Sequence, residues 1–321
     1  MKNNTICILG GTGFVGRHVM HRLTRHGYRV TVLTRRPERH RSLTVNHDVR
    51  LVEADIFDMQ VLQHAFQETA AVINLVGILN ETGSRENSFE RLHAELPKQV
   101  AAAASECGVD RLLHMSALHA DSNEQHSQYL KTKGDGEDHA HAAASRGLAV
   151  TSFRPSVIFG SGDSFFNRFA TLLKLAPGVF PLACPNSRFA PVYVGDIAEA
   201  ICRTLEEQTL IGERLELCGP ETWTLKELVE YTRDTLGLKH SIIGLGDGLS
   251  KLQARMLGLV PGKPFSMDNY YSLQHDSVCG RNALPDLGIK PTPVSAVVPG
   301  YLAAGTMRGQ YNHFRQHSKR S

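Results

Sequence analysis

A glycine-rich loop between a strand-like and a helix-like segment constrains this chain more than any other feature. In "TICILGGTGFVGRHV", Gly10, Gly13 and Gly16 follow a short apolar run, and apolar residues repeat at helical spacing from Val15 onward. Glycine at such a turn lets backbone N–H groups and the positive end of the helix approach a pyrophosphate closely. This context, and not the glycine pattern alone, predicts a dinucleotide phosphate loop.

Strands and helices alternate through the first half of the chain. Helix-like segments separate the apolar runs, which are "YRVTVLT", "VRLVEAD", "AAVINLVGI", "DRLLHMSAL" and "AVTSFRPSVIFG". Alternation of this kind is typical of a parallel sheet that carries helices on both faces. We therefore predict an α/β fold: a Rossmann-type, doubly wound parallel sheet with a smaller, irregular C-terminal substrate region.

The pattern divides the chain into three parts. We predict a Rossmann dinucleotide-binding domain over residues 1–160 and a mixed C-terminal region over residues 161–310. Within the second part, "PVYVGDIAEAI" predicts a return to the Rossmann core over residues 191–205, with Asp196 as a helix N-cap and not a catalyst. The polar and basic stretch "HFRQHSKRS" predicts a flexible tail over residues 311–321.

Composition limits the classes of function. The 321 residues are 41% hydrophobic and 21% charged, as in soluble globular proteins, and a net charge of +3 is too mild to indicate a nucleic-acid partner. Six scattered cysteines without C-x-x-C and sixteen histidines without H-E-x-x-H predict no metal site, and they fit reduced cytosolic thiols. No signal peptide is recognisable, and the longest apolar run, "AAVINLVGIL", is too short to span a membrane. We expect a cytoplasmic protein, and peripheral contact with the inner face of the cytoplasmic membrane stays open.

The end of the second strand indicates which dinucleotide is bound. An acidic residue there would accept a hydrogen bond from the ribose 2'-hydroxyl and repel a 2'-phosphate. This chain has Thr34, Arg35 and Arg36 instead, and arginine can hold a phosphate through two N–H groups. NADP(H) is therefore favoured, while NAD(H) stays compatible with the loop. The alternative is a solvated basic loop, because Arg39 and Arg41 follow closely.

Several motifs together resemble a known family. The glycine loop, the Asp55–Asp58 turn, Tyr129-x-x-x-Lys133, "RPSVIFG" and "PVYVGDIAEAI" resemble the extended and atypical short-chain dehydrogenase/reductases. More narrowly, "NLVGIL", "KGDGE", "RPSVIFGSGDSFFNRFA" and "LVPGKPFSMDN" are similar to the NADPH-binding accessory subunit of respiratory complex I and its bacterial relatives. The match extends over about residues 5–300.

The resemblance implies three alternative functions. The first is an NADP(H)-binding atypical reductase that acts on an unknown small molecule and serves a respiratory complex or the proteins of quinone metabolism. The second is an active nucleotide-sugar epimerase/dehydratase or carbonyl reductase. The third is a structural module that retains NADPH without turnover.

Tyr129 and Lys133 are the predicted catalytic pair. Their spacing of four residues places both side chains on one face of a helix. The resemblance implies that Tyr129 is the general acid/base and that Lys133 lowers its pKa and holds the nicotinamide ribose. Lys131 is expected to face solvent. Gly134 departs from the relatives, and glycine within a helix would loosen it below Lys133.

The other catalytic positions depart from the family pattern. Ser116 lies near the position after strand five where relatives carry a serine or threonine, and we take it as the third catalytic candidate. The resemblance places the position that holds the substrate carbonyl in the family at Ala117 or Leu118. His93 replaces the asparagine of the preceding helix. The tyrosine–lysine pair is thus kept while its helpers are altered.

The remaining candidates border the dinucleotide. Asp55 is placed to accept from the adenine amino group, and Asn74 and Gly77 either border the cofactor or form a plain turn. Arg154 ends strand six near the nicotinamide in the family, with a structural ion pair as the alternative. The predicted dinucleotide-binding residues are Gly10, Thr12, Gly13, Phe14, Val15, Gly16, Thr34, Arg35, Arg36, Asp55, Ile56, Asn74, Val76, Gly77, Lys133 and Pro155.

One later segment has an amphipathic pattern. It forms either a lid packed on the core, which we favour, or a small surface for a membrane or a quinone. Its residues are Leu249, Leu252, Met256, Leu257 and Leu259, interleaved with Lys251 and Arg255.

Overall fold

The computed structural model describes residues 4–81, 83–260 and 263–303. The predicted tail at 311–321 lies outside these residues. Two compact units divide the chain. The first contains the described part of Met1–Pro155 together with Gly195–Leu217 and Arg281–Ile289, and the second contains Ser156–Val194, Cys218–Gly280 and the described part of Lys290–Ser321. The predicted boundary lies at residue 160, whereas the first stretch of the first unit ends at Pro155. One return to the first unit is predicted, over residues 191–205, whereas the unit has two later segments, Gly195–Leu217 and Arg281–Ile289.

Thirteen strands are formed by the described residues. In chain order they are β1 (Thr5–Leu9), β2 (Arg29–Thr34), β3 (Val49–Glu53), β4 (Ala71–Asn74), β5 (Arg111–Met115), β6 (Ala149–Pro155), β7 (Ile158–Phe159), β8 (Val179–Leu182), β9 (Arg188–Phe189), β10 (Val192–Tyr193), β11 (Arg214–Leu217), β12 (Trp223–Thr224) and β13 (Ser241–Gly244). Seven of them form one sheet in the order β11-β6-β5-β4-β1-β2-β3, and every pair is parallel. The predicted doubly wound parallel sheet is confirmed.

Ten α-helices accompany the strands within the described residues. They are α1 (Phe14–Arg25), α2 (Met59–Phe66), α3 (Leu96–Glu106), α4 (Gln128–Ala142), α5 (Phe166–Leu175), α6 (Val194–Glu206), α7 (Leu225–Thr235), α8 (Asp247–Gly258), α9 (Met267–Ser272) and α10 (Val294–Leu302). A π-helical turn, Glu90–Glu95, leads into α3, and a 3-10 helix, Pro37–Val45, follows β2. None of the described helices is long and apolar enough to cross a membrane.

The core of the first unit lies on both faces of the sheet. Ile6, Cys7, Ile8 and Leu9 of β1 are all at most 1% exposed, so successive side chains are buried on opposite faces. This is why the strands of a parallel sheet are continuous apolar runs and not alternating ones. The second unit has its own core around Phe159, Phe166, Leu228 and Val298, with several aromatic rings in contact.

Two expectations about element boundaries differ from the structure. Strand β4 ends at Asn74 instead of continuing through "LVGI", because the Asn74 side chain accepts a hydrogen bond from Val76 N (3.2 Å) and turns the chain. Asp196 is not an N-cap, because α6 already begins at Val194 and places Asp196 in its first turn.

The cysteines also differ from expectation. Cys218 and Cys279 form a disulfide within the second unit, so the prediction that all six thiols are reduced is wrong for this pair. The sequence separation of 61 residues hides the pairing, since distant cysteines meet only through the fold. The free cysteines are Cys7, Cys107, Cys184 and Cys202. No group of three or more metal-ligating side chains is assembled within the described part of the chain.

Candidate dinucleotide and catalytic site

The glycines of the phosphate loop are required by close backbone approach. Gly10 has φ +78°, which side-chain-bearing residues rarely adopt, and a Cβ there would lie 2.9 Å from the Leu75 carbonyl carbon. A Cβ on Gly16 would lie 2.4 Å from the Gly10 carbonyl oxygen, so this glycine lets α1 start directly against the strand end. Gly13 is the N-cap of α1 and makes no side-chain bond. The first turn of α1 therefore presents its N–H groups to an anion.

The predicted loop residues Thr12, Phe14 and Val15 lie at this turn and in the first turn of α1. Arg17 was missed by the sequence reasoning. Its Nε donates to the Thr12 carbonyl oxygen (2.9 Å) and holds the loop from within the helix. The only available signal was its position one residue after Gly16. The geometry fits a dinucleotide pyrophosphate, since Gly10 and Gly16 let the end of β1, the loop and the start of α1 pack closely enough to bring the backbone N–H groups of the first helical turn to the loop.

The tip of β2 carries the predicted basic pair. Thr34 is buried, and its hydroxyl lies 3.5 Å from the Arg36 backbone nitrogen. Arg35 and Arg36 are exposed, and neither takes part in an ion pair with another described residue. Their charges are thus free for an anionic ligand. The 3-10 helix Pro37–Val45 follows at once and carries no buried residue.

The turns after β3 and β4 are built by side-chain to backbone bonds. Asp55 accepts from Phe57 N (3.0 Å), and Asp58 caps α2. The predicted contacts Ile56 and Val76 pack against the core of the first unit. Asn74 is 1% exposed, and its amide nitrogen lies 3.4 Å from His114 Nδ1. The sequence alternative of a plain turn at Asn74 therefore describes its backbone, while its role toward a cofactor stays a prediction.

Tyr129 and Lys133 lie on one continuous helix. Ser127 caps α4 by accepting from Leu130 N (3.2 Å), and the helix runs on to Ala142. Gly134 does not interrupt it, contrary to expectation. A Cβ on Gly134 would lie 2.3 Å from the Asp121 carbonyl carbon. One on Gly136 would lie 1.7 Å from the His93 carbonyl oxygen, so both glycines allow α4 to pack closely on its neighbours.

Lys133 is a buried amine beside the loop after β4. It is 5% exposed, and Nζ donates to the Met115 carbonyl oxygen (3.1 Å). Gly77 makes room for it, because a Cβ there would lie 3.1 Å from Nζ. Burial lowers the pKa of Lys133 to about 8, although the Glu137 carboxylate acts to raise it. The amine therefore loses its charge at a much lower pH than a surface lysine.

His93 is a neutral structural residue. Its Nε2 accepts from Ile78 N (3.0 Å), which leaves the proton on Nδ1, 3.3 Å from the Thr132 hydroxyl oxygen. Burial, with Lys133 next in effect, lowers the pKa of His93 well below its usual range. The imidazole thus shapes the loop after β4 and has no free proton for catalysis. Its ring and that of Phe89 contact the half-buried Tyr129 ring edge-on, with centroids 5.5 and 5.8 Å away.

Ser116 is occupied by a buried charge cluster. Its hydroxyl donates to Glu137 Oε2 (2.7 Å), and Glu137 also accepts from Arg154 Nε (3.0 Å) and Arg214 Nε (2.9 Å). Arg154 therefore makes a structural ion pair, which is the alternative that the sequence left open for it. The cluster ties α4 to β5, β6 and β11, and it gives Ser116 a structural partner. Neither Ala117 nor Leu118 supplies a hydroxyl in its place.

The first unit thus brings together a phosphate loop, a basic strand tip and a helix with Tyr129 and Lys133. Residues 6–218 match the model of the NAD dependent epimerase/dehydratase family. The chain belongs to that family.

Lys131 lies at the surface, as expected, and pairs with Asp135 (2.8 Å).

Two curated proteins are similar to this chain over most of its length. The chain is 30% identical over 302 residues to "NADH dehydrogenase [ubiquinone] 1 alpha subcomplex subunit 9, mitochondrial" of Mus musculus, covering 89% of this chain and 76% of that protein. It is 30% identical over 249 residues to "Ceramide reductase" of Caulobacter vibrioides, covering 75% and 74%. The resemblance to complex I accessory subunits is confirmed.

A solved structure with the same fold is the NADPH-dependent quinone oxidoreductase QOR2 of Escherichia coli, complexed with NADPH. Its TM-score is 0.72 at 20% identity, with 91% of this chain and 97% of that chain covered. At this identity the likeness concerns the fold alone. The family membership, together with the phosphate loop, makes this a dinucleotide-binding protein.

Proposed function

We propose that this chain is an NADP(H)-binding protein that serves the respiratory chain or quinone metabolism. The observation that carries the choice of cofactor is the exposed pair Arg35 and Arg36 at the end of β2, free of any acidic partner among the described residues. A 2'-phosphate would satisfy both guanidinium groups. The respiratory role is supported by the likeness to complex I accessory subunits.

Each part of the dinucleotide has residues that would hold it. The pyrophosphate would meet the N–H groups of the first turn of α1 beside Gly10 and Gly13. Lys133 and Tyr129 would face the nicotinamide ribose, and NADPH would supply a hydride when bound. Since the hydroxyl of Ser116 is donated to Glu137, no serine or threonine after β5 is left to hold a substrate carbonyl. We therefore propose tight cofactor binding with slow turnover.

The test of the cofactor is a pair of affinities. We expect NADPH to copurify, and to bind more tightly than NADH. Replacing Arg35 and Arg36 together by serine should weaken NADPH binding by about tenfold or more while leaving NADH binding unchanged, because each charge-assisted bond contributes about 1.5–3 kcal/mol. Arg41→Ser, also exposed, is the matched control. A tighter dissociation constant for NADH in the unaltered protein would reject the proposal.

A second candidate function is the reduction of a lipid carbonyl. It is favoured by the intact tyrosine–lysine pair on a continuous α4 and by the likeness to ceramide reductase. Under this alternative, NADPH is oxidised by a long-chain ketone, and Tyr129→Phe lowers kcat by about a hundredfold or more because the general acid is lost. NADPH that stays reduced across ketones, quinones and nucleotide sugars supports the first proposal. Turnover that survives Tyr129→Phe would remove Tyr129 from the chemistry in either case.

A further inference from the structure

Helix α8 turns its apolar side outward. Its buried residues are Ser250 and Ala254, which mark the side that packs on the second unit. Leu249, Leu252 and Met256 lie on the other side and are 58%, 51% and 62% exposed. A surface helix ordinarily has the opposite arrangement, with its apolar stripe on the core. The favoured prediction of a lid packed on the core is therefore wrong for these three leucine and methionine side chains.

The exposed surface continues beyond the helix. Gln253 donates to the Pro181 carbonyl oxygen (3.1 Å), and Pro181 is paired in register with Ile243 of β13. The helix thus adjoins the open side of the β8–β13 ribbon. Seven of the eleven large hydrophobic residues that are exposed among the described residues belong to this surface, which we call the apolar face. They are Val179, Ile243, Leu249, Leu252, Met256, Leu259 and Val260.

The segments that form the apolar face are cationic. Residues 179–182 and 241–260, which carry these seven residues, contain one acid, Asp247, which pairs with Lys251 (3.0 Å) and accepts a hydrogen bond from Tyr270. They contain two basic side chains, Lys251 and Arg255, and Lys174 and Lys239 precede the two segments by five and two residues. Of these four basic residues, Arg255, Lys174 and Lys239 are exposed and form no ion pair within the described residues. An apolar stripe with unpaired basic residues beside it is the pattern of a helix at a membrane surface.

We propose that the apolar face docks onto an anionic lipid bilayer. Leu249, Leu252 and Met256 would enter the boundary between headgroups and acyl chains, and Arg255 and Lys174 would meet lipid phosphates. A second copy of the chain fits less well, because two such faces would bring like charges together. A bilayer satisfies both properties at once. This inference does not depend on the identity of the dinucleotide.

Vesicle co-sedimentation of the full chain tests the proposal. We expect binding to vesicles of phosphatidylcholine with phosphatidylglycerol, weaker binding to phosphatidylcholine alone, and loss of affinity as salt rises. The double variant Leu252→Ser/Met256→Ser should lower the partition coefficient by about tenfold or more. Arg255→Gln should lower it by about fivefold, on anionic vesicles only. The matched control, Val45→Ser/Ile211→Ser, alters residues 80% and 42% exposed in the first unit and should bind as the unaltered chain does.

Contrary outcomes are equally defined. No sedimentation with anionic vesicles, or equal loss in the control variant, would overturn the proposal. A dimer in vesicle-free sedimentation equilibrium that the double variant abolishes would assign the apolar face to a second copy instead. Thermal unfolding verifies that each variant is folded, and Arg255→Gln carries the test if the double variant is not.

Discussion

Helix α4 buries ionisable side chains, whereas helix α8 exposes large apolar ones. In α4, the ionisable Lys133 and Glu137 are 5% and 0% exposed. In α8, Leu252 and Met256 are more than half exposed. Burying a charge and exposing a large apolar side chain both cost free energy unless a partner compensates. The partners of α4 are in the first unit, whereas those of α8 are not among the described residues of the chain.

This difference separates side chains whose cost is compensated inside the chain from side chains that need an external partner. The Glu137 carboxylate of α4 is compensated by Arg154, Arg214 and Ser116. The Lys133 amine donates to the Met115 carbonyl oxygen, and these contacts together hold the helix that carries Tyr129. The apolar residues of α8 are uncompensated within the chain, which is the reason for assigning them an external partner. Four measurements can break or sharpen the comparison.

The largest effect is expected from Glu137→Ala. It removes the shared acceptor of Arg154 Nε, Arg214 Nε and the buried Ser116 hydroxyl, although Arg214 keeps its pair with Asp138 (2.8 Å). Breaking a buried ion pair costs about 3–5 kcal/mol. Asp135→Ala, which removes a surface pair on the same helix, should cost less than about 1 kcal/mol. Urea unfolding of both variants gives the two free energies. Equal losses would mean that burial does not distinguish the two carboxylates.

A disulfide encloses the segment that carries α8. Reducing Cys218–Cys279, or replacing both residues by serine, should lower the free energy of unfolding by about 2–4 kcal/mol, because the unfolded chain regains the freedom of a long loop. Thermal unfolding with and without dithiothreitol measures this. The Cys7→Ser variant retains the bond and serves as the control for reductant sensitivity. An unfolding midpoint that is the same with and without dithiothreitol would show that the disulfide contributes nothing to stability.

Lys133 should make stability depend on pH. Its pKa is about 8 in the folded protein and near 10.4 when unfolded, so the buried charge costs stability below pH 8. Between pH 8 and 10.4 the unfolded chain binds more protons, and stability rises. His93 and His114 face the amine as neutral rings, and Glu137 as a carboxylate.

The variant Lys133→Met isolates this contribution. It should raise the free energy of unfolding at pH 7 by about 2–3 kcal/mol, remove the rise above pH 8, and weaken dinucleotide binding. Lys131→Met, at the exposed pair with Asp135, should leave the pH profile unchanged. Chemical unfolding from pH 7 to 10 measures both. A rise that persists in Lys133→Met would show that another group titrates.

Glycine substitutions should have opposite signs in the two helices. Gly136→Ala places a methyl group against the His93 carbonyl oxygen and should destabilise by about 1–3 kcal/mol. Gly248→Ala in α8 meets no atom within 4 Å and should stabilise by about 0.5–1 kcal/mol, the ordinary helical preference for alanine. Unfolding midpoints of both variants decide. Stabilisation by Gly136→Ala would show that the packing of α4 does not require a glycine at this position.

The sequence alone determined the architecture of the first unit. Local apolar patterns predict the parallel sheet, and the Gly10–Gly16 turn predicts its phosphate loop. Both are readable because the spacing of apolar residues in strands and helices, and the need for glycine at a positive φ, are set by residues close together in the sequence. Tyr129 and Lys133 were readable for the same reason, since their helical spacing is a local property. The choice of NADP(H) and the roles of the border residues remain predictions.

Tertiary structure alone decided what distant residues do to one another. Ser116 became a donor to Glu137, His93 a fixed neutral tautomer, and Gly134 a packing contact, because their partners come from other elements. The Cys218–Cys279 bond joins residues 61 positions apart. The amphipathic pattern of α8 was visible in the sequence, but period alone does not say which side meets the core. Only the burial of Ser250 and Ala254 showed that the leucines face outward.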